Sequence, residues 1–71
     1  MKSFYHYMMK HRHNKASDPL GKLARHMYED HSFPKDSTDY NEISSYLELN
    51  GDYFDGMSTF DLAWELYEEE R

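Results

Sequence analysis

Histidine and aspartate side chains in the first half of the chain are the residues best suited to hold a metal ion. His11 and His13 are separated by one residue, and His26 lies four residues before Asp30, with His31 next in the chain. On a helix, the second spacing places both side chains on one face, and nitrogen and oxygen ligands suit zinc. A structural zinc site, however, needs four converging ligands, and such spacings are common by chance. We therefore expect no metal and no other cofactor.

His11 has a second interpretation, because it also lies on the apolar side of a predicted helix, after Phe4 and Met8. Buried polar groups are normally hydrogen-bonded. We expect a backbone carbonyl to accept a hydrogen bond from the His11 ring.

Basic side chains of the first half are suited to binding phosphate groups of nucleic acid. They are Lys10, Arg12, Lys15, Lys22 and Arg25. Tyr5 is available to stack on a base. The bases are sparse, however, and the loop over residues 13–17 lacks the glycine with which helix-hairpin-helix proteins approach phosphates. Nucleic-acid binding is therefore an alternative function and not the first one.

No combination of residues predicts a catalytic site. The sequence has no cysteine, which excludes thiol chemistry, disulfides and thiolate-bound zinc. It shows no nucleophile beside a base and no glycine-rich phosphate loop. Several carboxylates fall at predicted helix ends, where capping explains them: Asp30, Asp39, Asp52 and Asp55. We expect a protein that is not an enzyme.

Charge is distributed unevenly along the chain. The formal net charge is −6, but residues 1–35 hold seven Lys and Arg against three Asp and Glu, which gives +4. From Asp36 onward, eleven acidic residues face one basic residue, Arg71, which gives −10. The halves either attract each other within the fold or form two surfaces that bind partners. Net negative charge and short apolar runs argue against membrane association and favour a cytoplasmic protein.

Two helices are predicted in the first half of what we expect to be a single domain over residues 1–71. Ser3 caps the first, which runs to about residue 12. Its apolar side comprises Phe4, Tyr7, Met8 and His11. Asp18 caps the second, with Pro19 at its first position. Its apolar stripe comprises Leu20, Leu23, Ala24, Met27 and Tyr28. Pro34 ends this helix, and Phe33 is expected to fill the junction between the second and third helices.

Two further helices are predicted in the second half. The third is capped by Asp36, Ser37 or Thr38. Its stripe comprises Tyr40, Ile43, Tyr46 and Leu47, and Gly51 ends it. Residues 52–56 form one distorted turn against the core, and Ser58 opens the fourth helix. The apolar positions of that helix are Phe60, Leu62, Ala63, Trp64, Leu66 and Tyr67. Met1 and residues 68–71 are expected to fray.

Four segments show an order of residues that helical periodicity does not require. They are residues 3–7 (SFYHY), 28–35 (YEDHSFPK), 39–48 (DYNEISSYLE) and 59–61 (TFD). Together they resemble the YozE-like family of short bacterial proteins, over essentially the whole chain. The resemblance implies a compact bundle like the sterile-alpha-motif fold, in cytosolic proteins whose biochemical role is uncharacterised. It implies no catalytic or binding residues.

These observations predict an all-α bundle of four helices plus one short helical turn. We expect it to act as a non-enzymatic module that binds a protein partner or weakly associates with itself. The candidate basic residues are Lys10, Arg12, Lys22 and Arg25. The candidate acidic residues are Glu42, Glu48, Asp52 and Asp55. The alternative is weak nucleic-acid binding by the basic face of the first two helices.

Overall fold

Four α-helices and two 3₁₀ segments build the protein. The computed structural model describes residues 2–70, apart from the side chains of Asp52, Phe54 and Asp55. The elements are α1 (Phe4–Met8), a 3₁₀ turn (Met9–His11), α2 (Pro19–Glu29), α3 (Tyr40–Leu49), a 3₁₀ segment (Gly51–Gly56) and α4 (Met57–Glu70). Residues 2–70 contain no β-strand, and the predicted all-α bundle is confirmed. Within that range, no helix combines the length and the apolar character needed to cross a bilayer.

The first helix begins as predicted but ends early. Ser3 is its N-cap, and the Ser3 hydroxyl accepts a hydrogen bond from the backbone N–H of His6 at 3.1 Å. The α-helix ends at Met8, and the predicted continuation to residue 12 is wrong. Met9–His11 tighten into a 3₁₀ turn, and the carbonyl of His11 then accepts from the N–H of Asn14 at 3.0 Å. This tightening turns the chain towards α2.

The N-cap of α2 is confirmed and that of α3 is corrected. The Asp18 carboxylate accepts from the N–H of Leu20 at 2.9 Å, with proline at the first helical position. For α3, Asp36, Ser37 and Thr38 were each expected, whereas Asp39 is the cap and accepts from the N–H of Asn41 at 3.0 Å. The Ser37 hydroxyl instead accepts from the N–H of Asp39 at 3.2 Å, and the Ser37 carbonyl accepts from the N–H of Phe4 at 3.2 Å.

The ends of α3 and α4 also differ from expectation. Asn50 ends α3 with an extended backbone (φ −107°, ψ 105°), while Gly51 opens the 3₁₀ segment. No glycine in the described chain has a positive φ, so a left-handed glycine cap does not end this helix. Ser58 lies inside α4, which begins at Met57. Residues 68–70 are helical instead of frayed, and Met1 and Arg71 lie outside the described residues.

Aromatic rings form the centre of the core. Phe4 is fully buried, and its ring centroid lies 5.4 Å from that of Phe60, 5.2 Å from Trp64 and 5.6 Å from Tyr67. The described core comprises Phe4, Tyr7, Met8, Leu23, Ala24, Met27, Phe33, Ile43, Leu47, Tyr53, Phe60, Ala63, Trp64 and Tyr67. Nearly all of them were predicted from helical periodicity. The 3₁₀ segment packs on this core through Tyr53, as expected of its turn.

Three residues assigned to apolar stripes are exposed instead. Tyr28 is 51% exposed, Leu62 48% and Tyr40 40%. Each lies at the edge of its stripe: Tyr40 still stacks on Phe60 with centroids 5.5 Å apart, while its other side faces solvent. A bundle of this size has too little interior to enclose every apolar side chain.

Gly21 sits at the closest approach of α2 to the preceding loop. A Cβ atom there would meet the Cβ of Asn14 at 2.9 Å and the carbonyl oxygen of His11 at 3.2 Å. We expect Gly21→Ala to destabilise the fold by about 1 kcal/mol, because overpacking of about 1–3 kcal/mol exceeds the gain in helix propensity of about 1 kcal/mol. Thermal melts followed by circular dichroism test this expectation. Gly51→Ala is the control, since its Cβ would meet nothing within 4 Å; a Gly21→Ala melting temperature equal to or above wild type would contradict the steric argument.

Candidate interaction surfaces

Lys10 joins the two oppositely charged halves of the chain within one molecule. Its ammonium group forms an ion pair with the carboxylate of Glu70 and lies 4.4 Å from the ring centroid of Tyr7. The hydrogen bond between the charged groups raises the pKa of Lys10 and lowers the pKa of Glu70. At this position the basic and acidic halves attract each other inside the fold, and Lys10 is engaged by α4.

The Arg25 side chain stabilises the loop before α2. Its guanidinium donates hydrogen bonds to the carbonyl of Arg12 at 3.3 Å and to that of Asn14 at 3.1 Å. These contacts hold the loop before α2 against the helix. Arg25 therefore holds the backbone of Arg12 and Asn14 to α2, although its charge still contributes to the local positive potential.

Arg12 lies over an exposed aromatic ring. Its guanidinium carbon is 4.2 Å from the ring centroid of Tyr28, a cation–π contact that orders both side chains. Lys15 and Lys22, which lie between Arg12 and Tyr28 in the sequence, are exposed. We call Arg12, Lys15, Lys22 and Tyr28 the basic surface. Tyr28 was missed as a surface residue because its spacing fits the apolar stripe of α2.

A shallow cavity of about 270 Å³ lies beside Lys22, between α2 and the start of α4. It is lined by Pro19, Lys22, Leu23, His26, Tyr53, Gly56 and Thr59. The His26 ring stacks on Tyr53 with centroids 4.4 Å apart, so this histidine is part of the packing. Cavities that bury small substrates usually measure about 300–1,000 Å³, so this one is smaller than such a site.

Exposed acidic side chains lie on α3 and α4. Glu42 and Glu48 are exposed on α3, as the proposed surface requires, while the side chains of Asp52 and Asp55 lie outside the described residues. Leu49, next to Glu48, is 89% exposed. On α4, Asp61 and Glu65 are exposed beside Leu62. We call Glu42, Glu48, Leu49, Asp61, Leu62 and Glu65 the acidic surface. The part on α4 was not predicted: Leu62 was assigned to the apolar stripe of that helix, and Asp61 and Glu65 were not among the candidate acidic residues.

Asp30 belongs to a polar network and not to either surface. One carboxylate oxygen accepts from the hydroxyls of Tyr46 at 2.5 Å and Tyr53 at 2.9 Å, and the other from the N–H of Ser32 at 3.0 Å. Burial acts to raise the pKa of Asp30, but these hydrogen bonds together outweigh it and hold the pKa below its usual value. The carboxylate therefore ties the end of α2 to α3 and to the 3₁₀ segment.

The histidines are dispersed. Across residues 2–70, apart from the undescribed side chains, no three His, Asp or Glu side chains lie close enough to hold a metal ion. His13 and His31 are exposed. His11 does not donate to a backbone carbonyl as expected. Its Nδ1 lies 3.1 Å from the Nδ2 of Asn14, and its Nε2 is buried with no hydrogen-bond partner among the described residues.

Comparison with known proteins identifies relatives along the whole chain. A family model described as the YozE SAM-like fold matches residues 3–69. The UPF0346 protein YozE of Bacillus subtilis is 64% identical over 70 residues, covering 99% of this chain and 95% of that protein. A UPF0346 protein of Bacillus licheniformis is 66% identical over 67 residues, covering 94% of this chain and 92% of the relative.

A solved structure shows the same architecture. The solution NMR structure of the Bacillus subtilis YozE protein matches with a TM-score of 0.89 at 64% sequence identity, over 99% of this chain and 85% of that one. Both the resemblance and the SAM-like bundle expected from the sequence are thereby confirmed. The chain belongs to the YozE SAM-like family of bacterial proteins.

Proposed function

We propose that this protein is a non-enzymatic module of the cytoplasm that binds a protein partner through its basic and acidic surfaces. The observation that carries this proposal is that each surface combines charged groups that form no ion pair in the described part of the chain with an exposed apolar or aromatic side chain. On the basic surface, Tyr28 lies under Arg12, with Lys22 on the same helix. On the acidic surface, Leu49 follows Glu48 and Leu62 follows Asp61.

Both surfaces keep most of their charge available. Within the described part of the chain, no ion pair engages Lys15, Lys22, Glu42, Glu48 or Glu65. Charges of this kind steer association and select partners more than they raise affinity. Tyrosine and arginine, in turn, are enriched among the residues that dominate interface energies. The combination of Arg12 and Tyr28 is therefore the part of the basic surface best suited to anchor a partner.

The surroundings of the Asp30 carboxylate and of the cavity beside Lys22 support a role in binding without catalysis. The carboxylate of Asp30, which the sequence offered for chemistry, is occupied by two tyrosine hydroxyls and one backbone N–H. The cavity beside Lys22 is shallow and small. Neither arrangement presents a nucleophile next to a base in a closed pocket, as a catalytic site requires.

Nucleic-acid binding stays as the second candidate because of one specific observation. Proteins that bind single strands without sequence preference use aromatic rings together with basic side chains, and the exposed Tyr28 ring lies against the guanidinium of Arg12. Tyr5, the ring first considered, is half-buried against Phe33 with centroids 5.8 Å apart. The weakness of this candidate is that Arg12 already lies over the Tyr28 ring.

Charge reversal tests the proposal. The double variant Arg12→Glu/Lys22→Glu should lower recovery of a bound protein from the native lysate about tenfold, because it opposes the field that attracts the partner. The matched control is Lys2→Glu/Lys35→Glu, which changes the net charge equally but lies outside the basic surface. Arg25 is left intact because it supports the fold. Tagged protein would be captured at physiological salt, with and without nuclease, and recovered proteins identified by mass spectrometry.

The outcomes separate the two functions. A stoichiometric protein that survives nuclease, binds wild type and control, and is lost with Arg12→Glu/Lys22→Glu supports the module. A complex that disappears with nuclease, and weakens steeply with salt, assigns the basic surface to nucleic acid instead. Equal recovery by the double variant and wild type would contradict both uses of this surface.

A further inference from the structure

One amide group connects the 3₁₀ turn after α1 to the start of α2. The Nδ2 atom of Asn14 lies 3.1 Å from the Nδ1 of His11 and 2.9 Å from the Oδ2 of Asp18. The Asp18 carboxylate also caps α2, through its Oδ1 and the N–H of Leu20. We call the His11–Asn14–Asp18 contacts the Asn14 bridge.

The chemistry of the Asn14 bridge fixes the protonation state of His11. An ionised carboxylate only accepts hydrogen bonds, so the Asn14 atom facing Asp18 must be the NH₂ group. The same nitrogen faces Nδ1 of His11, which must therefore accept as well. The ring proton is then on Nε2, so His11 is the neutral Nε2–H tautomer. That N–H is buried without a hydrogen-bond partner among the described residues, so the site is not built to stabilise a charged ring.

Protonation of His11 is incompatible with the Asn14 bridge. A protonated ring donates from both nitrogens, so Nδ1–H would point at the NH₂ group of Asn14, donor against donor. Rotating the amide to present its oxygen to His11 would place that oxygen against the Asp18 carboxylate, acceptor against acceptor. Either arrangement loses one of the two hydrogen bonds, because a single amide atom serves both neighbours.

We propose that the Asn14 bridge is a pH-sensitive contact: protonation of His11 in mildly acidic solution breaks it and loosens residues 12–17 from α2. The segment carries Arg12 and Lys15 of the basic surface, so acidification would change how that surface is presented. The device follows from contacts within the fold and stands without the proposed function.

Charged groups on every neighbouring element act on the His11 ring. Lys10 on the same turn opposes protonation, while the carboxylates of Asp18 at α2 and Glu70 on α4 favour it. Tyr7 on α1 contacts the ring edge-on with centroids 5.6 Å apart, and Arg25 on α2 adds positive charge at the carbonyl of Asn14. Burial is the largest influence, followed by Lys10, and the pKa of His11 lies below its ordinary value of 6.5.

Opening of residues 12–17 is favoured as pH falls. Because the pKa of His11 is lower in the closed segment than in the open one, the open form binds more protons, and opening increases as pH falls through 6.5. Between pH 7.5 and 5.5, linkage raises the population of the open form up to about tenfold. At higher pH the Asn14 bridge is intact.

Nuclear magnetic resonance on the full chain tests the proposal in two ways. Long-range proton–nitrogen spectra at pH 7.5 should show His11 as the Nε2–H tautomer. Hydrogen exchange of the Asn14 and Asp18 backbone amides, corrected for the intrinsic pH effect, should show protection falling several-fold, up to about tenfold, from pH 7.5 to 5.5. His11→Gln should abolish that pH dependence, and His13→Gln, at the neighbouring exposed histidine, should retain it.

Several results would overturn the inference. They are an Nδ1–H tautomer, wild-type protection that does not change with pH, or the same pH response in His11→Gln as in wild type. If His11→Gln does not fold, the tautomer and the comparison of wild type with His13→Gln still decide, since both are measured on proteins that keep His11.

Discussion

Replacing Phe33 with alanine should lower the free energy of unfolding by about 3–5 kcal/mol, the usual effect of emptying a buried phenylalanine site. Phe33 is only 4% exposed and precedes Pro34 in the α2–α3 connection. Its ring centroid lies 5.8 Å from that of Tyr5, 5.5 Å from Tyr46 and 6.4 Å from Tyr53. These rings come from α1, α3 and the 3₁₀ segment, so they cannot collapse together into the space. Because small domains have only a few kcal/mol of stability, much of the population should unfold.

Urea denaturation followed by circular dichroism measures this effect. Phe33→Leu should lose less, since it retains most of the buried apolar volume. Leu49→Ala is the surface control: Leu49 is 89% exposed, and its removal should change stability by no more than about 0.5 kcal/mol. A Phe33→Ala protein with wild-type stability would show that the ring does not fill this junction.

Local signals in the sequence predicted the N-caps of two helices. Ser3 and Asp18 are followed directly by helical periodicity, and both caps are confirmed. The third helix has several capping residues in a row, and no local rule chooses among them. The cap is Asp39, which directly precedes the first residue of α3, while the Ser37 hydroxyl accepts from the N–H of Asp39 and the Ser37 carbonyl from the N–H of Phe4. The bond to Phe4 is a tertiary contact, which local patterns do not show.

The sequence predicted the charge of the candidate surfaces, but not which of their side chains form contacts within the fold. The sequence shows that the first half is basic and the second acidic, yet it does not show which side chains are already engaged. Lys10 forms an ion pair with Glu70, near the other end of the chain, and Arg25 donates hydrogen bonds to backbone carbonyls of the preceding loop. Exposure of Tyr28 was also hidden, because a residue at the edge of a stripe has the same spacing as one at its centre. Of the four predicted basic residues, folding thus leaves Arg12 and Lys22 for a partner.

Asp30→Asn should destabilise the protein by about 2–4 kcal/mol at neutral pH, because it weakens charge-assisted hydrogen bonds to partly buried groups. The Asp30 carboxylate serves the hydroxyls of Tyr46 and Tyr53 with one oxygen and the N–H of Ser32 with the other. An asparagine has one oxygen, so its NH₂ group must face one of these two sides. If it faces Ser32, donor meets donor; if it faces the tyrosines, both hydroxyls lose a carboxylate acceptor.

The pH dependence gives this variant a signature that a packing defect would not share. The pKa of Asp30 is lower in the folded protein than its ordinary value of 3.8, so the unfolded chain binds more protons as pH falls below that value. The stabilisation is complete above pH 3.8 and is lost as pH falls through the lowered pKa. In chemical denaturation, wild type and Asp30→Asn should therefore differ most at neutral pH, and the difference should narrow as pH falls below 3.8. Glu29→Gln, at the exposed neighbouring carboxylate, should stay within about 0.5 kcal/mol of wild type. A difference between wild type and Asp30→Asn that stays constant over this range would mean that the ionised carboxylate does not hold α2 to α3.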